Sequence, residues 1–390
     1  RDALLEAARM LWPAPLELSY GRRPPPGRCV GYVAIPNGRQ PRLLLPETSR
    51  IAAAGAVRRS DTRDGLRIRA VRGVVSAGLT TGVMQRLCRD RLYVRHPQDE
   101  HPQAYGIDGH LRAALGQDVV VAVRVGSLRA NRKPVLQVFA PDGRTLAFAK
   151  VACSPLTNVL VRREADALRS LQSADWSTLV APRVLSDAGW LGHEVLVISP
   201  LLPGRSRTTR TPPLAAMREL ADTFGRRALP LVDSPWWGRL RREAAMELLP
   251  VLDVLEERYG GQTFGFGAGH GDWTRWNTLV WDGVAHVWDW ERFERDVPVG
   301  SDLVHWLLQD ALVDRLHGWG QAVEACLAGL PPLLPGLALP PEQAEALTLL
   351  HLADLHTRYS GERDTDSGQR LRVVTRSLLE ELTARAKAGG

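Results

Sequence analysis

The segment His270-Gly271-Asp272-Trp273-Thr274-Arg275-Trp276-Asn277, followed closely by Val287-Trp288-Asp289-Trp290-Glu291, restricts this chain more than any other. Asp282-Gly283 stands between two short β-prone runs, a strong signal for a two-residue hairpin turn. The spacing predicts a strand ending near Gly269, then a loop, then a hairpin that pairs Thr278–Trp281 with His286–Asp289. Such a loop sets Asp272 and Asn277 on one edge, and the hairpin returns Asp289 to that edge. Two carboxylates and an amide oxygen would then converge, a hard-oxygen set suited to Mg²⁺. A carboxylate not bound to metal can take a proton from an attacking hydroxyl.

The flanking sequence divides into three parts. Residues 118–200 carry β-branched, alternating runs at Asp118–Val125, Pro134–Phe139 and Thr145–Ala152, with the turn Pro141-Asp142-Gly143 between the last two. A helix is expected at about Leu156–Leu171, and further strands at Val184–Ser186 and Glu194–Ile198. Beyond a Pro/Arg/Thr-rich hinge at Leu201–Pro213, helical periodicity dominates, in Leu214–Arg227, in Pro235–Tyr259 and again near 301–329, 341–360 and 368–386. The leading part mixes a helix at Ala3–Leu11, strands at Cys29–Ile35 and Arg42–Leu45, and helices at Ile51–Val57 and Leu66–Met84. A loop follows at His96–Gln103, then a short helix to Leu115 that Asp108 could cap. The expectation is an α+β chain of three regions: 1–115, of unstated role; 116–204, a small antiparallel sheet with one helix; and 205–390, mainly helical.

Composition narrows the function. With 390 residues, 44% hydrophobic and 24% charged, the chain has ample apolar material for a core, which excludes wholesale disorder. No apolar run approaches the ~18–20 residues needed to span a bilayer, and the first residues, with Arg1, Asp2, Glu6 and Arg9, do not make the apolar core of a signal peptide. Cys29, Cys88, Cys153 and Cys326 are too scattered for a disulfide framework or a zinc site, so a reduced cytoplasm is the default. Charge is uneven: the first 150 residues carry a net +13 and the remainder −6. There is no Gly-Lys dipeptide, no His-Glu-x-x-His and no Gly-x-Ser-x-Gly, which removes a Walker loop, a zincin site and a nucleophile elbow.

The His-Gly-Asp, Asn and Asp-[apolar]-Glu pattern resembles the catalytic core of the aminoglycoside-phosphotransferase family, within the protein-kinase-like superfamily. The resemblance covers residues 118–310 well, 311–390 only in helical character, and 1–115 not at all. It implies a bilobal fold with a sheet-and-helix lobe and a helical lobe. It also implies Asp272 as catalytic base, Asn277 and Asp289 as Mg²⁺ ligands, His270 as a structural residue of the loop, and Asp302 as the residue that braces it. This is the logic of in-line phosphoryl transfer. Such a fold needs a lysine on its third strand paired with a glutamate on the next helix. Lys150 and Glu164 stand at those places, and Lys150 is one of only three lysines against 47 arginines. A compact ammonium suits a point contact to phosphates, which a guanidinium fork does not reproduce. The loop Gly126–Lys133 has one glycine and departs from the protein-kinase pattern; Ser127, Arg129 or backbone amides could cover the phosphates there.

The implied activity is transfer of the γ-phosphoryl of ATP (or GTP) to a hydroxyl of a small molecule: a sugar, an amino sugar or an aminoglycoside-like compound. Thr274 stands where serine/threonine protein kinases carry lysine, and no Ala-Pro-Glu segment follows Glu291, which argues against a protein acceptor. The rival from another class is a pseudokinase-type scaffold that binds nucleotide without turning it over. Nucleic-acid binding through the arginine-rich first part is weaker still, since no motif supports it. Isolated histidines such as His193, His317 and His351 read as core or surface residues. The tryptophans between Trp273 and Trp319 read as packing for the helical part.

Overall fold

The computed structural model describes residues 2–35, 42–58, 66–88, 90–98, 100–101, 105–125, 133–201, 209–315, 317–362 and 368–388. The chain divides into two compact units, Arg1–Arg169 with Pro182–Leu202, and Ser170–Ala181 with Pro203–Gly390. The fold is α+β, the class expected from the sequence.

In the first unit the order is α1 (Asp2–Leu11), β1 (Glu17–Gly21), β2 (Cys29–Ile35), β3 (Leu43–Pro46), α2 (Arg50–Arg58), α3 (Leu66–Thr81), α4 (Val83–Leu87), β4 (Arg91–Arg95) and α5 (Ile107–Leu115). Then follow β5 (Val120–Val125), β6 (Pro134–Phe139), β7 (Thr145–Val151) and α6 (Pro155–Leu171). After β8 (Leu179–Val180), which belongs to the other unit, β9 (Val184–Ser186) and β10 (Val195–Ile198) complete the sheet. The sheet is not small. Nine strands pair in the order β1-β4-β2-β3-β5-β6-β7-β10-β9, all antiparallel. The leading residues therefore form no separate body: Leu43 and Leu44 of β3 lie opposite Arg124 and Val123 of β5. Pairing β3 there satisfies a backbone edge that β5 would otherwise expose.

Side-chain alternation sorts this sheet into two faces. Tyr32, Ala34, Val121 and Val123 pack with Leu11 of α1, Trp12 just after it, and Ile107 and Leu111 of α5. Their neighbours Val33, Val120 and Ala122 pack on the other face with Ala53, Ala56 and Leu79 from α2 and α3. Asp108 does not cap α5. Gly106 takes the cap position, and the buried Asp108 carboxylate accepts hydrogen bonds from Trp12 Nε1 at 2.8 Å and Tyr32 Oη at 3.4 Å. Burial pushes this carboxyl above its usual range, although the Trp12 hydrogen bond pulls the other way.

The second unit adds α7 (Leu214–Asp222), β11 (Arg227–Pro230), α8 (Pro235–Glu243), α9 (Leu249–Tyr259), β12 (Thr263–Gly269), β13 (Thr278–Trp281), β14 (Val284–Val287) and β15 (Glu294–Pro298). Helices α10 (Ser301–Gln309), α11 (Trp319–Gly329), α12 (Ala344–Gly361) and α13 (Gly368–Ala388) follow. Two three-stranded sheets, β11-β12-β15 and β13-β14-β8, frame the loop between β12 and β13. Three expected helices are shorter than their periodicity suggested. The run 66–84 breaks at Gly82, whose φ of 84° ends α3. The run 214–227 ends at α7, and Gly225 turns the chain at φ 84° into β11. The run 235–259 breaks at Ala244, and Pro250 then opens α9, because proline lacks the N–H that a helix interior needs.

Candidate active site

The loop after β12 is fixed by its backbone. Gly271 has φ 77°, and a Cβ there would stand 2.3 Å from the Arg292 carbonyl oxygen, so only glycine fits. Asp302, in the first turn of α10, turns its carboxylate onto this loop. Its Oδ2 accepts the His270 N–H at 2.7 Å and its Oδ1 the Gly271 N–H at 2.9 Å. From α12, Arg358 donates to the Gly271 carbonyl at 2.8 Å. His270 is fully buried, with Nδ1 accepting the Asp272 N–H at 3.2 Å and Nε2 3.1 Å from the Trp288 carbonyl. These partners place its proton on Nε2. Burial holds its pKa below the usual value, so the ring is neutral.

Asp272 is thereby presented with both carboxylate oxygens engaged. Oδ1 lies 3.0 Å from His305 Nε2, and Oδ2 accepts from Asn277 Nδ2 at 3.0 Å. Asn277 Nδ2 also reaches the Asp272 carbonyl at 3.0 Å. Both partners are acceptors, so the nitrogen must face them and the amide oxygen must face away. Burial raises the Asp272 pKa, but the hydrogen bond and attraction of His305 outweigh it, leaving the carboxyl below its usual range. Its side chain remains 38% exposed, so the group is ionised and reachable.

The hairpin forms through Asp282 and Gly283, both at positive φ, with Trp281 opposite Val284. β14 ends at Val287, before the Asp289 that the sequence placed in it. Asp289 takes φ 75°, a left-handed conformation that costs a residue with a Cβ some strain. Its carboxylate and that of the buried Glu291 have oxygens within 4.8 Å of each other. Such a spacing of hard oxygens fits a small divalent cation.

In the first unit, Lys150 on β7 and Glu164 on α6 meet. Nζ lies 2.5 Å and 2.7 Å from the two carboxylate oxygens, with the lysine side chain 8% exposed and the glutamate fully buried. Flanking strands set the lysine, since Lys150 lies opposite Val135 on β6 and Leu196 on β10. α6 is started by Ser154 and Thr157, which exchange side-chain and backbone hydrogen bonds. Ser127 and Arg129 lie outside the described residues.

Arg275 is bonded at 2.9 Å to Asp310. Trp273 is fully buried against His270, in the packing role expected of it. Sequence reasoning missed His305 and Arg358. The signal for His305 was its place one helical turn after Asp302, on the same face of α10.

No protein-family model matches the sequence, and no curated protein matches it. Among solved structures, the chain is similar to the aminoglycoside phosphotransferase APH(4)-Ia, with a TM-score of 0.44 and 13% identity over 70% of this chain and 98% of that one. It is similar to ADP-bound aminoglycoside phosphotransferase APH(2'')-Ib, with a TM-score of 0.45 and 13% identity over 72% of this chain and 97% of that one. A glucosamine kinase in complex with glucosamine, ADP and inorganic phosphate gives 0.36 and 14% over 75% and 89%.

Proposed function

We propose that the chain is a phosphotransferase that moves the γ-phosphoryl of ATP (or GTP) to a hydroxyl of a small molecule, a sugar, amino sugar or aminoglycoside-like compound. The observation that carries this reading is Asp272: a reachable carboxylate, kept ionised and fixed through both oxygens by His305 and Asn277. A group held so can accept the proton of an attacking hydroxyl as the bond to phosphorus forms. Asp289 and Asn277 would hold Mg²⁺, with Glu291 beside them, and the ion would supply positive charge against the phosphates. Lys150, oriented by Glu164, would contact the α- and β-phosphates, and Ser127 and Arg129 would cover them. His270 and Asp302 keep the loop in place. Thr274, in the position of the protein-kinase lysine, supports a small acceptor over a protein. Among the described residues no helix is long and apolar enough to cross a membrane.

The test is Asp272→Asn. Loss of the base is expected to lower turnover by about 10²–10⁴-fold, while the thermal shift given by MgATP remains. Phosphorylation is read by mass across hydroxylated metabolites and antibiotics. Undiminished turnover in the variant rejects the assignment. A wild-type protein that binds MgATP and phosphorylates nothing in the screen favours the scaffold reading.

A further inference from the structure

We infer that His305, backed by His351, is a positioning residue that locks the Asp272 carboxylate in one orientation; this rests on the reading of Asp272 as base. The two imidazoles form a buried chain behind the carboxylate. His305 Nε2 lies 3.0 Å from Asp272 Oδ1, and His305 Nδ1 lies 3.1 Å from His351 Nε2. The rings meet edge to face at 75°, with centroids 5.3 Å apart. His305 is 2% exposed and His351 3%.

The proton assignment follows from the acceptors. An ionised carboxylate can only accept, so His305 Nε2 carries a hydrogen. Burial holds the His351 pKa well below the usual imidazole value, so this ring is neutral. A neutral imidazole has two tautomers. His351 can donate from Nε2 to His305 Nδ1 or accept from it there, and the back of His305 is satisfied either way.

The anchoring helices are shared with the loop itself. α10 carries Asp302, which holds the loop backbone, and His305 one turn on, which holds the side chain. α12 carries His351 and, two turns on, Arg358, which bonds the Gly271 carbonyl. Backbone and carboxylate are therefore fixed in one frame. The arrangement matters because misplacing a reacting group by about 1 Å can cost about 10²-fold in rate.

Histidine ¹⁵N NMR tests the proton assignment without any acceptor. His305 is expected as the Nε2–H form, coupled across the bond to His351, with its Nε2 resonance moving in Asp272→Asn. An Nδ1–H tautomer of His305, or resonances blind to Asp272→Asn, overturns the inference. Kinetics then tests the role, with MgATP and whichever hydroxylated compound the screen identifies. His305→Ala should lower kcat by about 10–100-fold and leave KM for MgATP within about twofold. His305→Gln, whose amide can donate where Nε2 did, should recover most of the loss. Unchanged kcat in His305→Ala beside an inactive Asp272→Asn overturns the positioning role alone. Full activity in Asp272→Asn overturns the base assignment instead. If His305→Ala fails to fold, the His305→Gln variant and the NMR spectrum decide.

Discussion

The two units hold fixed charge in opposite ways. In the sheet unit, the Lys150 ammonium faces the Glu164 carboxylate, and the pair is close to neutral. In the helical unit, Asp302 is held by two peptide N–H groups and Asp272 by an amide and an imidazole. Peptide and amide N–H donors stabilise a carboxylate without cancelling its charge. The first arrangement fixes a cation in place; the second keeps negative charge available to a proton or a metal ion. An ion pair also fails abruptly when one member is lost, because the other is left buried and uncompensated.

That contrast can be broken experimentally. The largest stability effect is expected from Lys150→Met, about 3–5 kcal/mol, read by denaturant unfolding. The double variant Lys150→Met/Glu164→Leu should regain much of this, since an apolar pair of similar volume needs no counter-charge. No recovery would mean that the pair does more than balance itself. Next comes Asp302→Ala, which strips two loop N–H groups of their acceptor at about 1–3 kcal/mol each. Asp302→Asn, able to accept through one oxygen, should lie between it and the wild type. Equal loss in both would show that the charge of Asp302, and not its geometry, holds the loop.

The smallest effect is expected at Asp108. Burial raises its folded pKa above the usual 3.8. An acid with a raised folded pKa favours the folded state while protonated, so stability is greater below the usual value and falls as pH climbs through the raised one. Asp108→Asn should therefore flatten the stability profile between about pH 4 and about pH 7 and be neutral or mildly stabilising at the upper end. Urea midpoints at the two pH values measure it. A steeper slope in the variant would contradict the burial argument.

Much of the site was legible because its signals are local. Asp282-Gly283 specifies a tight hairpin wherever it lies between strand-forming runs. The lone strand lysine, Lys150, precedes Glu164 by a strand end, a capped turn and part of a helix, a path that local periodicity describes. Helix ends were less legible, since Gly82, Ala244 and Gly225 break runs whose apolar spacing continues past them. Asp108 was misread as a cap because Asp in a first turn has the same local signature whether it faces solvent or Trp12.

The sequence alone placed β2, β3, β5–β7, β9, β10, the β13–β14 hairpin and most of the helices, since period and turn chemistry act over a few neighbouring positions, but not β1, β4, β11 or β15. Only the tertiary structure decided that β3 closes the edge of β5, that Arg275 belongs to Asp310, and that His305 and His351 stand behind Asp272. Those contacts join segments far apart in the chain. Their free energy comes from burying and satisfying polar groups together, and no local pattern records which distant partner will do so.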